Sequence, residues 1–225
     1  MSTIALIGGD GAGKTTVAQA LLDQSSVPIK YLYMGIHAPS ANYSLPTTRM
    51  AHAIKVRAHR RNRQSARIDD RSDRPEYREM EKGNLRAFLR LVNRVAEETY
   101  RQLVSWFFQM RGYVVLYDRH YFFEHDTELI TPSGERQRLT ERLHRRFLAD
   151  VYPKPDATIL LDAPAETLYE RKQEWNLAHQ ERQRARYLAQ GGKVRNFARI
   201  DATQPLDKVV ADAQEQLASF LEERT

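Results

Sequence analysis

The stretch Gly8-Gly9-Asp10-Gly11-Ala12-Gly13-Lys14-Thr15 constrains this chain more than any other. It fits the phosphate-binding loop pattern G-x-x-x-x-G-K-[ST] at every fixed position. Thr3-Ile4-Ala5-Leu6-Ile7 ahead of it is a short apolar run that reads as a buried strand. Behind it, Val17, Ala18, Leu21 and Leu22 recur at helical spacing. Strand, glycine-rich loop and helix is the order that phosphate binding needs. Gly8, Gly11 and Gly13 let the backbone take positive φ and approach a ligand closely. The amides of Gly8, Asp10, Gly11, Ala12, Gly13, Lys14, Thr15 and Thr16, with the helix N-terminus, then face phosphate oxygens. Lys14 is expected at the β- and γ-phosphates and the Thr15 hydroxyl on Mg²⁺, so ATP and Mg²⁺ are the expected cofactors. The competing reading is an ordinary glycine-rich turn; the correct flanks on both sides favour the nucleotide site.

The length of 225 residues suits one α/β domain over 1–225, or one domain with an insertion. A hydrophobic fraction of 41% supplies a core. No apolar run approaches the ~18 residues of a membrane span. The N-terminus enters a strand directly, without the pattern of a signal peptide, so a cytoplasmic location is expected. The chain has no cysteine, which excludes disulfides, thiol catalysis and cysteine-ligated zinc. The net charge of +6 suits anionic partners: a nucleotide, a nucleic acid or an anionic membrane.

Along the chain, Lys30 to Met34 reads as a second strand and Ala38 to Pro46 as a loop. From Gln24 to Ile68 there is no acidic residue, while 49–67 carries seven Lys or Arg. This is either a solvated basic segment or a clamp for an anionic acceptor, nucleic acid or membrane surface. No RNA-binding signature accompanies it. Leu85 to Met110 is a long helical pattern that Gly112 stops. Tyr113 to Asp118 is an apolar strand ending in a carboxylate, with Arg119 and His120 next. A carboxylate there is where a Mg²⁺-holding Walker B group sits, so Asp118 is a candidate metal residue beside Thr15. The competing reading of Asp118 is a loop-starting cap. A helix over Leu139–Leu148, a strand Ala157–Asp162, a basic helical region from Glu166, a strand Asn196–Asp201 and a closing amphipathic helix complete the chain. Strands alternating with helices imply a parallel sheet covered on both faces, with its ligand site at the strands' C-terminal ends.

Four stations, Gly8–Thr16 (GGDGAGKTT), Asp118-Arg119-His120, Pro155–Asp162 (PDATILLD) and Ile200-Asp201-Ala202, stand in the order and spacing of thymidylate kinases. The chain resembles the thymidylate-kinase-like branch of P-loop kinases over nearly its whole length. The resemblance implies a P-loop NTPase three-layer α/β sandwich, with a five-stranded parallel sheet in order 2-3-1-4-5 and a lid at about 171–190. It assigns Asp118 and Arg119 to Mg²⁺ and the acceptor phosphate, Arg171 to the opening of the lid, and Asp10 to the family's loop carboxylate. Arg182, Arg184 and Arg186 are further lid candidates. Two departures concern the acceptor. The family's R-E-P-G-G-like stretch is replaced by Tyr33–Pro39, and Glu97 stands where the family's long helix has an arginine, with Arg94 and Arg101 nearest. The basic segment, as an insertion at about 40–80, has no counterpart in the family.

The catalytic set expected is Lys14, Asp118, Arg119 and Arg171. The expected reaction is ATP-dependent phosphoryl transfer to a small phosphorylated acceptor, thymidylate or a related nucleoside monophosphate. The chain from Lys30 to Ile68 offers no carboxylate as a base for an alcohol acceptor, which favours an acceptor that is already a phosphate. Asp118, Glu124 and Asp126 remain as other possible bases. The rival functions are a same-fold kinase for a sugar or lipid-linked phosphate, and a nucleotide-hydrolysing nucleic-acid-binding protein, the latter not favoured. A homodimer is left open.

Overall fold

The structure, a computed structural model, describes residues 2–35, 42–50, 53–54, 84–124, 139–173 and 176–223. Most of the basic segment 49–67 and the candidate base Asp126 lie outside the described residues, as does the Glu124 side chain.

Five strands form one parallel sheet in the expected order β2-β3-β1-β4-β5. They are β1 (Thr3–Gly8), β2 (Ile29–Tyr33), β3 (Val114–Asp118), β4 (Ala157–Asp162) and β5 (Asn196–Asp201). The helices are α1 (Lys14–Gln24), α2 (Asn84–Met110), α3 (Tyr121–Glu124), α4 (Leu139–Arg146), α5 (Ala165–Arg171), α6 (Leu177–Gly191) and α7 (Leu206–Glu222). After α4 the chain widens into a π-turn over Phe147–Val151, closed by a bond from Tyr152 N–H to Phe147 O, before Pro153 and Pro155 end it.

β1 is central, and all six of its residues are buried. Ile4 and Leu6 point to one face, where Val17 and Leu21 of α1 and Val209, Ala213 and Leu217 of α7 cover them. Ala5 and Ile7 point to the other, against Tyr121, Phe123, Leu148, Tyr152 and Tyr187. A strand buried on both faces is largely apolar, so β1, β3 and β4 read as near-continuous apolar runs rather than alternations, with Asp118 and Asp162 at the ends of β3 and β4.

The long helix α2 forms as its periodicity predicts, but its polarity is reversed. Its buried side carries Glu97, Glu98, Arg101, Gln102 and Ser105, and its apolar residues Phe88, Leu89, Val92, Leu103, Phe107 and Met110 face solvent. The buried polar groups are held by specific partners. Arg101 donates from Nε and Nη2 to Glu97 Oε1 at 3.1 and 2.9 Å, and from Nη1 to the carbonyls of Tyr33 and Gly35 at 3.3 and 2.9 Å. The other Glu97 oxygen accepts from the Leu45 amide at 3.0 Å and the Thr48 hydroxyl at 2.8 Å. One ion pair therefore ties α2 to the end of β2 and to the segment that follows. At the next residue, Glu98 meets His144 of α4 at 2.8 Å.

Removing one member of a buried pair strands the other charge, at a cost of about 3–5 kcal/mol. Glu97→Ala should lower unfolding stability by that order in urea titration, and Glu97→Gln by less because it keeps an acceptor. A change below about 0.5 kcal/mol for Glu97→Ala, as at an ordinary surface site, would show that the pair does not anchor α2.

Candidate functional site

The loop between β1 and α1 is shaped by close packing. Gly11 has φ 96°, and a Cβ there would lie 2.8 Å from the Leu168 carbonyl of α5. Glycine is required on both counts. Gly13, in the left-handed region, is the N-cap of α1 and supplies no side-chain cap. The first bond within α1 runs from Val17 N–H to Gly13 O at 2.9 Å, so the amides ahead of it have no partner within the helix. Thr15 and Thr16 are exposed on that first turn. Lys14 is buried within the curl of the loop. Its ammonium donates to Gly8 O at 2.9 Å and Gly9 O at 2.7 Å, and lies 3.9 Å from Asp10 Oδ1.

The parallel register brings β3 to the same edge: Leu6 pairs with Asp118, and Tyr33 of β2 pairs with Asp118 from the other side. Asp118 is buried. Its Oδ2 accepts from the Tyr31 hydroxyl at 2.6 Å, and its Oδ1 is buried without a hydrogen-bond partner. Tyr31 pairs with Leu116 and reaches two residues along the neighbouring strand on the same face. Burial first, and the Asp118 carboxylate second, push the Tyr31 phenol well above its ordinary value, so it stays a donor at neutral pH.

Arg119 turns the chain off the sheet edge with φ 66°, a left-handed conformation unusual for a side chain of this size. Its amide bonds Leu6 O at 3.0 Å, and its guanidinium pairs with Asp10 across the phosphate loop. Burial alone would raise the Asp10 pKa, but Arg119 and Lys14 outweigh it and hold the carboxyl below its usual value. Gly35 lies against the same arginine: a Cβ there would come within 2.5 Å of the Tyr33 hydroxyl and 2.7 Å of Arg119 Cδ. Asp10, Lys14, Asp118 and Arg119 thus converge where β1 and β3 end.

The lid candidates divide. Arg171, exposed at the end of α5, donates to Ala202 O at 2.8 Å, and its Cβ lies against Gly11 of the loop. Arg184 is committed elsewhere. It grips Asp162 at the end of β4 with two bonds of 2.7 and 2.9 Å, and Arg199 of β5 adds a third of 2.8 Å. Burial raises the Asp162 pKa, but the two arginines overcome it and hold the carboxyl low. This clamp pins α6 to the sheet edge. It sets Gln180, fully buried, over the loop, where its Nε2 lies 3.4 Å from Asp10 O.

These residues suit a magnesium–nucleotide complex. The uncapped α1 N-terminus and the loop glycines accommodate phosphate, and the unpartnered Asp118 Oδ1 can take a hydrogen bond from a metal-bound water. Among the described residues no group of three or more His, Cys, Asp or Glu could hold a metal by itself. A Mg²⁺ here would take Thr15 and, through water, Asp118, with phosphate oxygens completing its shell.

Sequence reading missed Tyr31, Gln180 and Arg199. Tyr31 carries a signal in hindsight, as a polar tip two residues before a strand end on the neighbour of the carboxylate strand. Gln180 depends on which helix crosses the loop, and Arg199 on the pairing of β5 with β4, neither of which a local pattern encodes.

His120 is fully buried among Tyr117, Phe123 and Tyr152. Its Nδ1 accepts from the Phe122 amide at 3.2 Å. Burial pushes its pKa down to about 3 from 6.5, so it is neutral in the fold. A histidine depressed in the fold contributes stability that is complete above the unfolded pKa and is lost as pH falls toward the folded one. Between about pH 6.5 and 3 it should cost up to about 1.4 kcal/mol per pH unit. Between pH 7 and pH 5 the thermal midpoint of the wild type should therefore fall more steeply than that of His120→Phe; parallel curves would contradict the assignment.

No family model matches the chain and no curated protein matches it, so its reading rests on its own residues.

Proposed function

We propose that this chain is a P-loop kinase, thymidylate-kinase-like, that transfers the terminal phosphoryl group of ATP to a small phosphorylated acceptor, first of all thymidylate or a related nucleoside monophosphate. The observation that carries the reading is the convergence of Lys14 in a phosphate loop with the buried Asp118 carboxylate and Arg119 at one sheet edge. Phosphoryl transfer needs positioned charge more than covalent help. The loop amides and Lys14 hold the donor phosphates. When bound, Mg²⁺ would neutralise phosphate charge; Thr15 and, through water, Asp118 are the residues that would hold it. Tyr31 fixes the Asp118 carboxylate through its hydroxyl. Arg119 and Arg171 neutralise charge on the moving group. An ionised oxygen of the acceptor phosphate bonds to the γ-phosphorus as the bond to the ADP oxygen breaks, and no general base is required.

A second reading, a sugar or lipid-linked phosphate as acceptor, is supported by α2. Glu97 occupies the position where the resembling family has an arginine, and Arg101 is engaged with Glu97 and backbone carbonyls. The cation that would meet a nucleotide phosphate from that helix is therefore replaced by a structural pair.

The test is a panel of nucleoside monophosphates and phosphorylated sugars incubated with labelled ATP, with diphosphate products and free phosphate measured separately. A diphosphate from a nucleoside monophosphate is expected; label in free phosphate alone would contradict transfer. In the productive pair, Lys14→Ala should lower turnover by about 100-fold or more, in the range of removing one preorganised charge donor. Asp118→Asn should lower kcat more than it weakens ATP binding. Arg119→Lys should cost about tenfold or more, because an ammonium lacks the guanidinium fork. Undiminished turnover in folded Lys14→Ala protein would remove the kinase reading.

A further inference from the structure

Arg119 is held in a backbone conformation that its own side chain disfavours. Its φ of 66° lies in the left-handed region, where the Cβ of an ordinary residue crowds the following carbonyl. Such a conformation persists where the surroundings fix the chain on both sides of it. On one side the sheet does so. The Arg119 amide bonds Leu6 O at 3.0 Å, and Asp118 O accepts from the Met34 amide at 3.0 Å. On the other side stands His120.

His120 caps the short helix α3. Its carbonyl accepts from the Phe123 amide at 2.9 Å, and its ring Nδ1 accepts from the Phe122 amide at 3.2 Å. A side-chain acceptor on a first-turn amide is what an N-cap provides. The ring is fully buried among Tyr117, Tyr152 and Phe123, at centroid distances of 5.3, 5.7 and 6.4 Å. Tyr152 is itself anchored, since its hydroxyl donates to Glu98 O of α2 at 3.2 Å. Backbone and side chain of His120 are thus both fixed, and the change of direction between β3 and α3 falls on Arg119.

The use of an imidazole here is informative. An Nδ1 that accepts leaves the ring's hydrogen on Nε2, and Nε2 is buried with no hydrogen-bond partner among the described residues. A buried donor left without an acceptor is destabilising. Phenylalanine would fill the same aromatic cage without that cost, but it has nothing to offer the Phe122 amide. The imidazole does both, and the turn that its cap fixes is the one that aims Arg119. From that turn the guanidinium meets Asp10 across the phosphate loop, and Gly35 leaves room for the arginine stem, since a Cβ there would lie 2.7 Å from Arg119 Cδ. We infer that His120 is a positioning residue for Arg119: by capping α3 through Nδ1 it holds the left-handed turn, and with it the guanidinium over the loop. Only the consequence for turnover rests on the phosphoryl-transfer reading.

Two variants separate the properties of the ring. His120→Phe keeps the bulk and loses the acceptor, while His120→Asn keeps an N-cap acceptor and loses the bulk. Both should keep the wild-type circular dichroism at neutral pH. The first readout needs no activity. In protein carrying isotope-labelled arginine, the Arg119 guanidinium resonance is the one missing from Arg119→Lys. In the wild type it should shift when Asp10→Asn removes its partner. It should shift likewise in the His120→Asn background and stay in place in the His120→Phe background. An undiminished Asp10 response in His120→Phe would overturn the inference, and so would a folded His120→Asn protein that lacks the response. The second readout is kinetic, with the acceptor that yields a diphosphate. His120→Phe should lower kcat about tenfold, as Arg119→Lys does, with the KM for ATP changed less than about twofold. His120→Asn should recover kcat to within about threefold of wild type, because it restores the cap. Full turnover in folded His120→Phe, or equal loss in both variants, would overturn the positioning role. A wild type that transfers to no acceptor while the guanidinium pattern holds would overturn the kinase reading and support the positioning role.

Discussion

All five strands run in one direction, and this single constraint assembles the site. In a parallel sheet every strand ends on the same edge. Gly8 at the end of β1, Asp118 at the end of β3, and Asp162 and Asp201 at the ends of β4 and β5 are brought into one row by the pairings Leu6 with Asp118, Gly8 with Leu161, and Asp162 with Asp201. An antiparallel partner anywhere among β3, β1 and β4 would send one of these groups to the far side of the molecule. The apolar runs that make β1 and β3 buried on both faces are thus also what delivers a phosphate loop and a carboxylate to one place.

Charge pairing then stiffens that edge. Asp10 with Arg119, Asp162 with Arg184 and Arg199, and Glu97 with Arg101 each set a largely buried carboxylate against at least one guanidinium. Burial works against each isolated charge, and the partner offsets that cost only when the geometry is good. The pairs differ in what they leave available. Asp162 and Glu97 are saturated, and they fasten α6 to the strand edge and α2 to the chain after β2. Asp10 and Arg119 meet across the phosphate loop, where an arriving phosphate would compete with the Asp10 carboxylate for the same guanidinium. The first two are structural fastenings, and the third lies across the loop that is proposed to receive phosphate.

Much of the fold, and the convergence of the glycine-rich loop with Asp118 and Arg119, was legible because the evidence for both is local. A strand, the G-x-x-x-x-G-K-[ST] loop and a helix lie within twenty-odd residues, and Asp118-Arg119 closes an unmistakable apolar run. The surroundings of α2 and α6 were not legible, for physical reasons that particular residues show. Glu97 reads as a missing arginine in the sequence, but in the fold it accepts from Leu45 and Thr48 fifty residues away. Arg184 reads as a lid residue, but its partner Asp162 is on another element. The helical pattern of α2 was legible but not its orientation, because periodicity reports that a helix has an apolar face and is silent on what that face meets. Here the sheet takes the polar side and solvent the apolar one.

The loop and the Asp118 strand end are claimed to receive a magnesium–nucleotide complex, and amide hydrogen exchange reads that claim without any knowledge of the acceptor. With saturating ATP and Mg²⁺, exchange should slow in peptides spanning Gly8 to Thr16 and in those containing Asp118 and Arg119, because these amides would gain partners or lose access to water. Peptides of the remote α7 should be unchanged. Exchange in the loop that is indifferent to millimolar ATP and Mg²⁺ would contradict the account.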